Sequence, residues 1–386
     1  MPLDMEYTKA KERIIIPETI CGLLADNGSK ERNTVRLFNN IASVYRVRGC
    51  FVKAIKYYEK ALEIFKQVLG PMHPDTGVIF LNMANSFCEY GNYEEALKYS
   101  KKALSIYFQL LGREHPYTAK AYSSIALILF YQGKFEDALD YYLKAMEIQE
   151  KVLGLRDLDT ALTYNNIALV YYNQGNNGEA LKYYGKALEV YEQVLGPEHP
   201  STAVTYNSMA VVYSNQSNYS VALEYYEKAL AIRKKVLGPD HPYTARTIGN
   251  IALLYHNIGN NTKAMENCKR AIEIQEKVYE DRHPDLATTY NNMALIYHAI
   301  GDNEEALEYY EKALAIYEPV LGKEHPDTAT IYSNIGLLLA DMHDYEKAKS
   351  YLEESFEVDV KTFGKEHPRT RQVKRTLEKI KRMRSM

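Results

Sequence analysis

Tryptophan is absent from the 386 residues, and cysteine occurs only at Cys21, Cys50, Cys88 and Cys268. No two of these are spaced as C-x-x-C, which removes a disulfide framework and a zinc-ribbon reading together and points to a reducing compartment, the cytoplasm. No stretch reaches the ~18 consecutive apolar residues of a membrane-spanning helix. The first thirty residues scatter charges at Asp4, Glu6, Lys9, Lys11, Glu12 and Arg13 where a secretory leader would be apolar. Catalytic signatures are missing as well: there is no H-E-x-x-H, no G-x-x-x-x-G-K-[S/T] and no G-x-S-x-G. These absences predict a chain that is not an enzyme, takes no small-molecule substrate and carries no metal or cofactor.

Positive charge is scarce along the body and concentrated at its end. Residues 369–386 hold eight basic side chains against Glu378, a net of +7, so an overall −3 leaves −10 on the preceding 368 residues. That sign disfavours nucleic acid as a partner of the body. With 46% hydrophobic and 25% charged residues and a mean hydropathy of −0.40, the composition is that of an ordered chain with ample core. In place of tryptophan stand 35 tyrosines, and they recur at fixed offsets, which makes them a packing rule and not a set of catalytic groups.

The punctuation is a period of 42. His-Pro occurs at His73, His115, His199, His241, His283, His325 and His367, with Asp157 where an eighth member would fall. Around it runs the frame Gly-x-x-His-Pro-x-Thr, from Gly70 to Thr76 and onward to Gly364 to Thr370, and one period upstream Gly28, Glu31 and Thr34 fall in register. Proline suits the first position of a helix, so the histidine is the expected N-cap, its imidazole nitrogen accepting a backbone N–H. Asp157 and Glu31 suit the same place because acidic groups favour a helix N-terminus. One histidine per repeat at a helix start is a capping pattern, not a metal-ligand set.

Between frames lie two helical patterns, such as Ala161–Asn173 and Glu179–Leu195, with apolar positions at helical spacing. The turn joining them carries Gly49, Gly91, Gly133, Gly175, Gly259 and Gly301, as a left-handed helix exit requires. Small residues repeat too: Ala54, Ala96, Ala138, Ala180, Ala222, Ala264, Ala306 and Ala348 open the second helix, and Ala42, Ala84, Ala126, Ala168, Ala210, Ala252 and Ala294, then Gly336, sit in the first. Small residues at a crossing let helices approach to the short end of the ~8–10 Å range. The reading is all-α.

The pattern Ile-Ala-x-x-Tyr followed by Gly, Ala, Tyr and Ala resembles the tetratricopeptide repeat. The eight additional residues, with LG-x-x-HP-x-T between repeats, resemble the 42-residue variant of kinesin light chains, as does the wording of Tyr290–Tyr297 and Cys268–Ile274. The resemblance implies a right-handed α-solenoid of eight helix pairs with terminal capping helices. The domains expected are 1–33 as an N-terminal cap or degenerate half-repeat with Ile20, Leu23 and Leu24 inward, 34–367 as eight repeats, and 368–386 as a basic capping helix. In that last segment Val373, Leu377 and Ile380 form the inner stripe. Pro319, inside a second helix, is expected to remove one backbone bond and bend the helix near its end.

In tetratricopeptide arrays the first helices line the concave side, which makes their outward positions the expected site for a protein or peptide partner. Those positions hold a column of amides, Asn82, Asn165, Asn166, Asn207, Asn250, Asn291, Asn292 and Asn334 together with Asn39 and Asn40, beside Leu169, Val211, Leu253 and Leu295. Asparagine is a poor helix former, and its amide both donates and accepts, so a ladder of them suits the backbone of an extended peptide. By resemblance to kinesin light chains, Asn166, Asn250 and Asn292 match the asparagines that contact cargo peptides. His256 and His298 share one offset and are assigned to the groove lining. The alternative is a regulatory or sensor solenoid docking on an enzyme or signalling partner through its edges.

Overall fold

The computed structural model describes residues 29–47, 49–279 and 283–383, which contain seventeen α-helices and no strand. The chain divides into two compact units, Met1–Asn218 and Tyr219–Met386. The first holds α1 (Ser29–Val47), α2 (Phe51–Val68), α3 (Pro74–Glu89), α4 (Tyr93–Leu111), α5 (Pro116–Tyr131), α6 (Phe135–Val152), α7 (Leu158–Asn173), α8 (Asn177–Val194) and α9 (Pro200–Asn215). The second holds α10 (Tyr219–Val236), α11 (Pro242–Asn257), α12 (Asn261–Tyr279), α13 (Pro284–Ala299), α14 (Asn303–Leu321), α15 (Pro326–Asp341), α16 (Tyr345–Phe363) and α17 (Pro368–Met383). This is the all-α repeat of helix pairs that the period of 42 predicts.

Each inter-repeat frame is assembled by its own letters. The glycine takes a φ of 84° to 98° at Gly70, Gly112, Gly154, Gly196, Gly238, Gly322 and Gly364, a region other residues enter at a cost. The histidine sits at the N-cap in extended backbone, and its Nδ1 accepts the N–H two residues on: from Asp75 at 3.2 Å, and from Tyr117, Ser201, Tyr243, Asp285 and Asp327 at 3.1 Å. The threonine hydroxyl then donates back to the glycine carbonyl, as Thr118 does to Gly112 at 2.8 Å and Thr328 to Gly322 at 2.9 Å. Asp157 replaces histidine with a 2.7 Å bond from the Asp159 N–H. His367 departs from the series: its Nδ1 is shielded and has no partner, while Phe363 stacks on the ring at 4.7 Å.

Within each hairpin the three-residue turn exits the first helix through a left-handed residue, glycine in six repeats and Ser217 (φ 59°) and His343 (φ 66°) in the other two. The repeated alanines are fully buried where the paired helices cross. Tyrosine joins one repeat to the next. Tyr164 and Tyr206 in the first unit, and Tyr290 and Tyr332 in the second, donate their phenols to Glu150, Glu192, Glu276 and Glu318 at 2.6–2.7 Å, each fourteen residues earlier on the preceding second helix. A second ring layer forms inside the hairpins, with Tyr45 on Tyr57, Phe87 on Tyr99 and Tyr297 on Tyr309 stacked at 5.5 Å.

At the start, α1 begins at Ser29, five residues ahead of the expected boundary at Thr34. Glu31-Arg32 stand there in place of His-Pro, so no proline stops the helix from extending upstream. Residues 1–28, with Ile20, Leu23 and Leu24, lie outside the described residues. At the other end Val373, Leu377 and Ile380 are buried, while Arg371, Lys374, Arg375 and Lys379 are exposed. Arg371, Lys374 and Glu378 fall one period after Ala329, Tyr332 and Gly336, which are buried in α15. The face that receives a second helix in the preceding repeat is thus charged in α17. Pro319 sits in the last turn of α14, which continues to Leu321.

Candidate functional site

Packing sorts the first-helix asparagines by register. Counting from the small residue of each first helix, Asn40, Asn82, Asn166, Asn250, Asn292 and Asn334 stand two positions before it, and Asn39, Asn165, Asn207 and Asn291 three before. These two rows meet across neighbouring repeats. The Asn82 amide donates to Asn39 Oδ1 at 2.9 Å in the first unit, and Asn334 donates to Asn291 Oδ1 at 2.8 Å in the second, each pair 43 residues apart. Asn165, almost fully buried, bonds Thr205 Oγ1 at 3.1 Å, and Asn207 is buried likewise.

Exposure does not follow the two rows strictly: in the row two positions before the small residue Asn82 is buried and Asn40 exposed, and Asn291 of the other row is half-buried. Asn166, Asn250, Asn292 and Asn334 are half-buried. Asn166 Oδ1 is shielded from solvent yet has no hydrogen-bond partner. Three positions further along each helix stand Leu169, Val211, Leu253, Leu295 and Leu337; Leu169 is buried in the core, the next three are half-buried and Leu337 is exposed. His256 Nδ1 lies 3.2 Å from Asn261 Oδ1, and His298 Nε2 lies 3.0 Å from Asp341 Oδ2, so both histidines are engaged by neighbouring side chains at the turn end of their helices.

The charged side chains of the first helices pair among themselves. Arg46 meets Glu89 at 2.6 Å with both side chains buried, Lys120 meets Asp159 at 3.1 Å, and Arg246 meets Asp285 at 2.8 Å. None of these pairs is apparent when each repeat is read alone. Their separations of 43, 39 and 39 residues are one period plus one and one period minus three, a signal that a search for opposite charges near the period would have found. The face is therefore close to neutral and its polarity is mostly amide.

Burial pushes the Cys268 thiol up to about 12 and the Cys88 thiol well above its ordinary range, so both stay protonated and weakly nucleophilic. Burial raises the Tyr164 and Tyr332 hydroxyls as well, which keeps them donors. Among the described residues no three His, Cys, Asp or Glu side chains converge to hold a metal ion, and no helix is long and apolar enough to cross a membrane.

Stacked helix pairs with an amide-rich first-helix face define a repeat scaffold of the kind that generally mediates protein–protein interaction. The tetratricopeptide repeat profile matches at residues 33–107, 75–151, 159–235, 206–276, 243–318, 285–359 and 327–385, so the chain belongs to the tetratricopeptide repeat family. The fold is shared with a Rap protein complexed with Competence and Sporulation Factor (TM-score 0.54, 17% identity, 90% of this chain and 98% of that one). It is also shared with the apo form of RapI (TM-score 0.54, 21% identity, 74% and 97%). Kinesin-light-chain-like repeats are among the structural neighbours, including a putative kinesin light chain from Podosopora anserina with nearly identical repeats (TM-score 0.43, 25% identity, 53% and 98%). No curated protein matches the chain significantly.

Proposed function

We propose that this chain is a non-enzymatic cytoplasmic scaffold that grips an extended segment or helix of a partner protein along the asparagine row of its first helices, and that it takes neither nucleic acid nor a small-molecule substrate. The observation carrying this reading is the Asn166 amide, whose oxygen is shielded and unpartnered. A partner N–H would reach this oxygen through a change of the Asn166 rotamer, and the bond would then recover the ~1–3 kcal/mol that an unmade buried acceptor costs. The Rap protein complexed with Competence and Sporulation Factor shows one member of this fold in a bound state. The test replaces Asn166, Asn250 and Asn292 by alanine together. Alanine is the better helix former by up to ~0.7 kcal/mol per site, so the melting curve should hold or rise, while three lost bonds at ~0.5–1.5 kcal/mol each should weaken partner binding at least tenfold. A stable triple variant that keeps its partner would remove the groove from consideration.

A second reading, docking through an edge, has one observation in its favour. The first residue after α11, α13 and α15 is Ile258, Ile300 and Met342, all exposed, whereas Gln132, Gln174 and Gln216 hold that place after α5, α7 and α9. Glutamine at 258, 300 and 342 should leave groove binding untouched and abolish an edge partner.

A further inference from the structure

On α1, Leu37 and Val44 are 56% and 54% exposed, with Asn40 exposed between them and Ile41 half-buried beside them. Residues at i, i+4 and i+7 share one side of a helix, so Leu37, Ile41 and Val44 form an apolar stripe open to solvent. Two and three periods on, the same registers are closed. Ala121 and Thr163 stand where Leu37 does, Ile128 and Val170 where Val44 does, and none is more than 1% exposed.

What closes them is the second helix of the preceding repeat. Ala121 packs in one cluster with Tyr107 of α4, and Ile128 in another with Tyr93 and Ala96 of the same helix. Ser124, at the register of Asn40, meets the Ser100 hydroxyl of α4 at 2.8 Å. One repeat further, Thr163 donates to Gln149 of α6 at 2.7 Å. A second helix thus addresses the next first helix through an apolar residue, an alanine three residues on, a polar side chain seven on and a long side chain fourteen on. The residues one period ahead of α2 do not spell such a helix. Glu12 stands at the offset of the recurring, fully buried Ala54, and Pro17 at that of Glu59 in the interior of α2. A carboxylate in an alanine's buried place and a proline within a helix both work against it.

We infer that the exposed face of α1 is a docking site, beyond the groove proposed above, for an amphipathic helix of a partner protein that packs on α1 as each second helix packs on the next first helix. The partner helix sets an apolar residue and an alanine against Val44, a hydroxyl or amide against Asn40, whose own amide both donates and accepts, and a leucine or aromatic residue against Leu37.

The probe is a labelled synthetic peptide with the sequence of residues 93–111, the helix that meets the equivalent face of α5. It is titrated into the full-length chain beside an Ala96→Glu peptide and a scrambled peptide of the same composition. The expected result is that the native sequence binds at least about tenfold tighter than either control. Leu37→Glu or Val44→Glu in the chain should weaken it by a similar factor with unchanged melting curves, because a carboxylate is introduced into the contact while both positions are exposed in the free chain. Alanine at Asn166, Asn250 and Asn292 together should leave this binding unchanged, which separates its outcome from that of the groove. Equal binding of the three peptides, or equal binding by the native chain and Leu37→Glu, would overturn the inference. So would a melting temperature lowered by Leu37→Glu, the sign that the chain's own residues cover α1, or a dimer in sedimentation equilibrium that Leu37→Glu converts to monomer, the sign that a second copy does.

Discussion

The N-cap histidine is the sharpest place to test how this chain stacks its repeats, and His199 at the head of α9 is a suitable case. Its backbone is extended (φ −77°, ψ 145°) and its Nδ1 accepts the Ser201 N–H at 3.1 Å. Alanine at 199 removes the acceptor and leaves one of the orphan amides of the first turn without a side-chain partner, a loss of ~0.5–2 kcal/mol. Aspartate should restore the cap, because Asp157 makes the equivalent bond at 2.7 Å and places a negative charge at the helix N-terminus. For a unit of ~200 residues, about 1 kcal/mol moves the melting temperature by roughly 2–4 °C. Repeat chains open locally, so amide exchange of the peptide spanning residues 199–206 is the more direct readout. Only the neutral imidazole accepts at Nδ1, and burial holds the His199 imidazole below its ordinary range, as it does at His115 and His325. A folded-state pKa below the unfolded value near ~6.5 means that the cap contributes in full above that pH and fades as pH falls below it. As pH falls below that value, His199→Asp should keep its protection while the native chain progressively loses it. Equal exchange in the native chain and His199→Ala, or equal losses for Ala and Asp, would refute the capping role.

Further substitutions test the packing. Ser217→Gly should raise stability by ~0.5–1 kcal/mol because Ser217 holds φ 59°, whereas Gly175→Ala, at φ 79°, should lower it by a similar amount or more; paired urea titrations decide both. Gly336→Ala should cost ~1–3 kcal/mol although alanine fills the same offset in the other seven repeats, since a Cβ there would lie 2.6 Å from Leu352 Cγ and 3.1 Å from the Ala348 carbonyl oxygen. An unchanged denaturation midpoint would show that α15 and α16 have slack. Arg369→Met removes the guanidinium that bonds the fully buried Asp359 at 2.9 Å and the Pro326 carbonyl at 2.8 Å. The expected loss is about 3 kcal/mol, largely recovered by adding Asp359→Leu; failure of the double variant to recover would place the effect elsewhere.

The period of 42, the two helices per repeat, the histidine cap and the glycine turn were all legible in the sequence, because each depends on groups close together along the chain. A cap joins residue i to i+2 and a left-handed exit is one residue's φ, so the letters at 70–76 or 196–202 specify their own geometry. Even the exceptions at Asp157 and Ser217 follow local rules.

The division of labour among the asparagines was decided only by tertiary structure. Asn291 and Asn292 are adjacent, chemically identical and both half-buried, yet it is Asn291 that accepts the bond from Asn334, because a single residue step turns a side chain by ~100° around the helix. The same holds for Arg46 with Glu89 and Arg246 with Asp285, whose charges are neutralised by residues about one period away. A period says which positions recur. How far one helix is shifted and rotated against the next decides which recurring side chains meet, and that offset is set by the summed packing of alanines, tyrosines and Gly336 over whole helices, not by any short stretch of sequence.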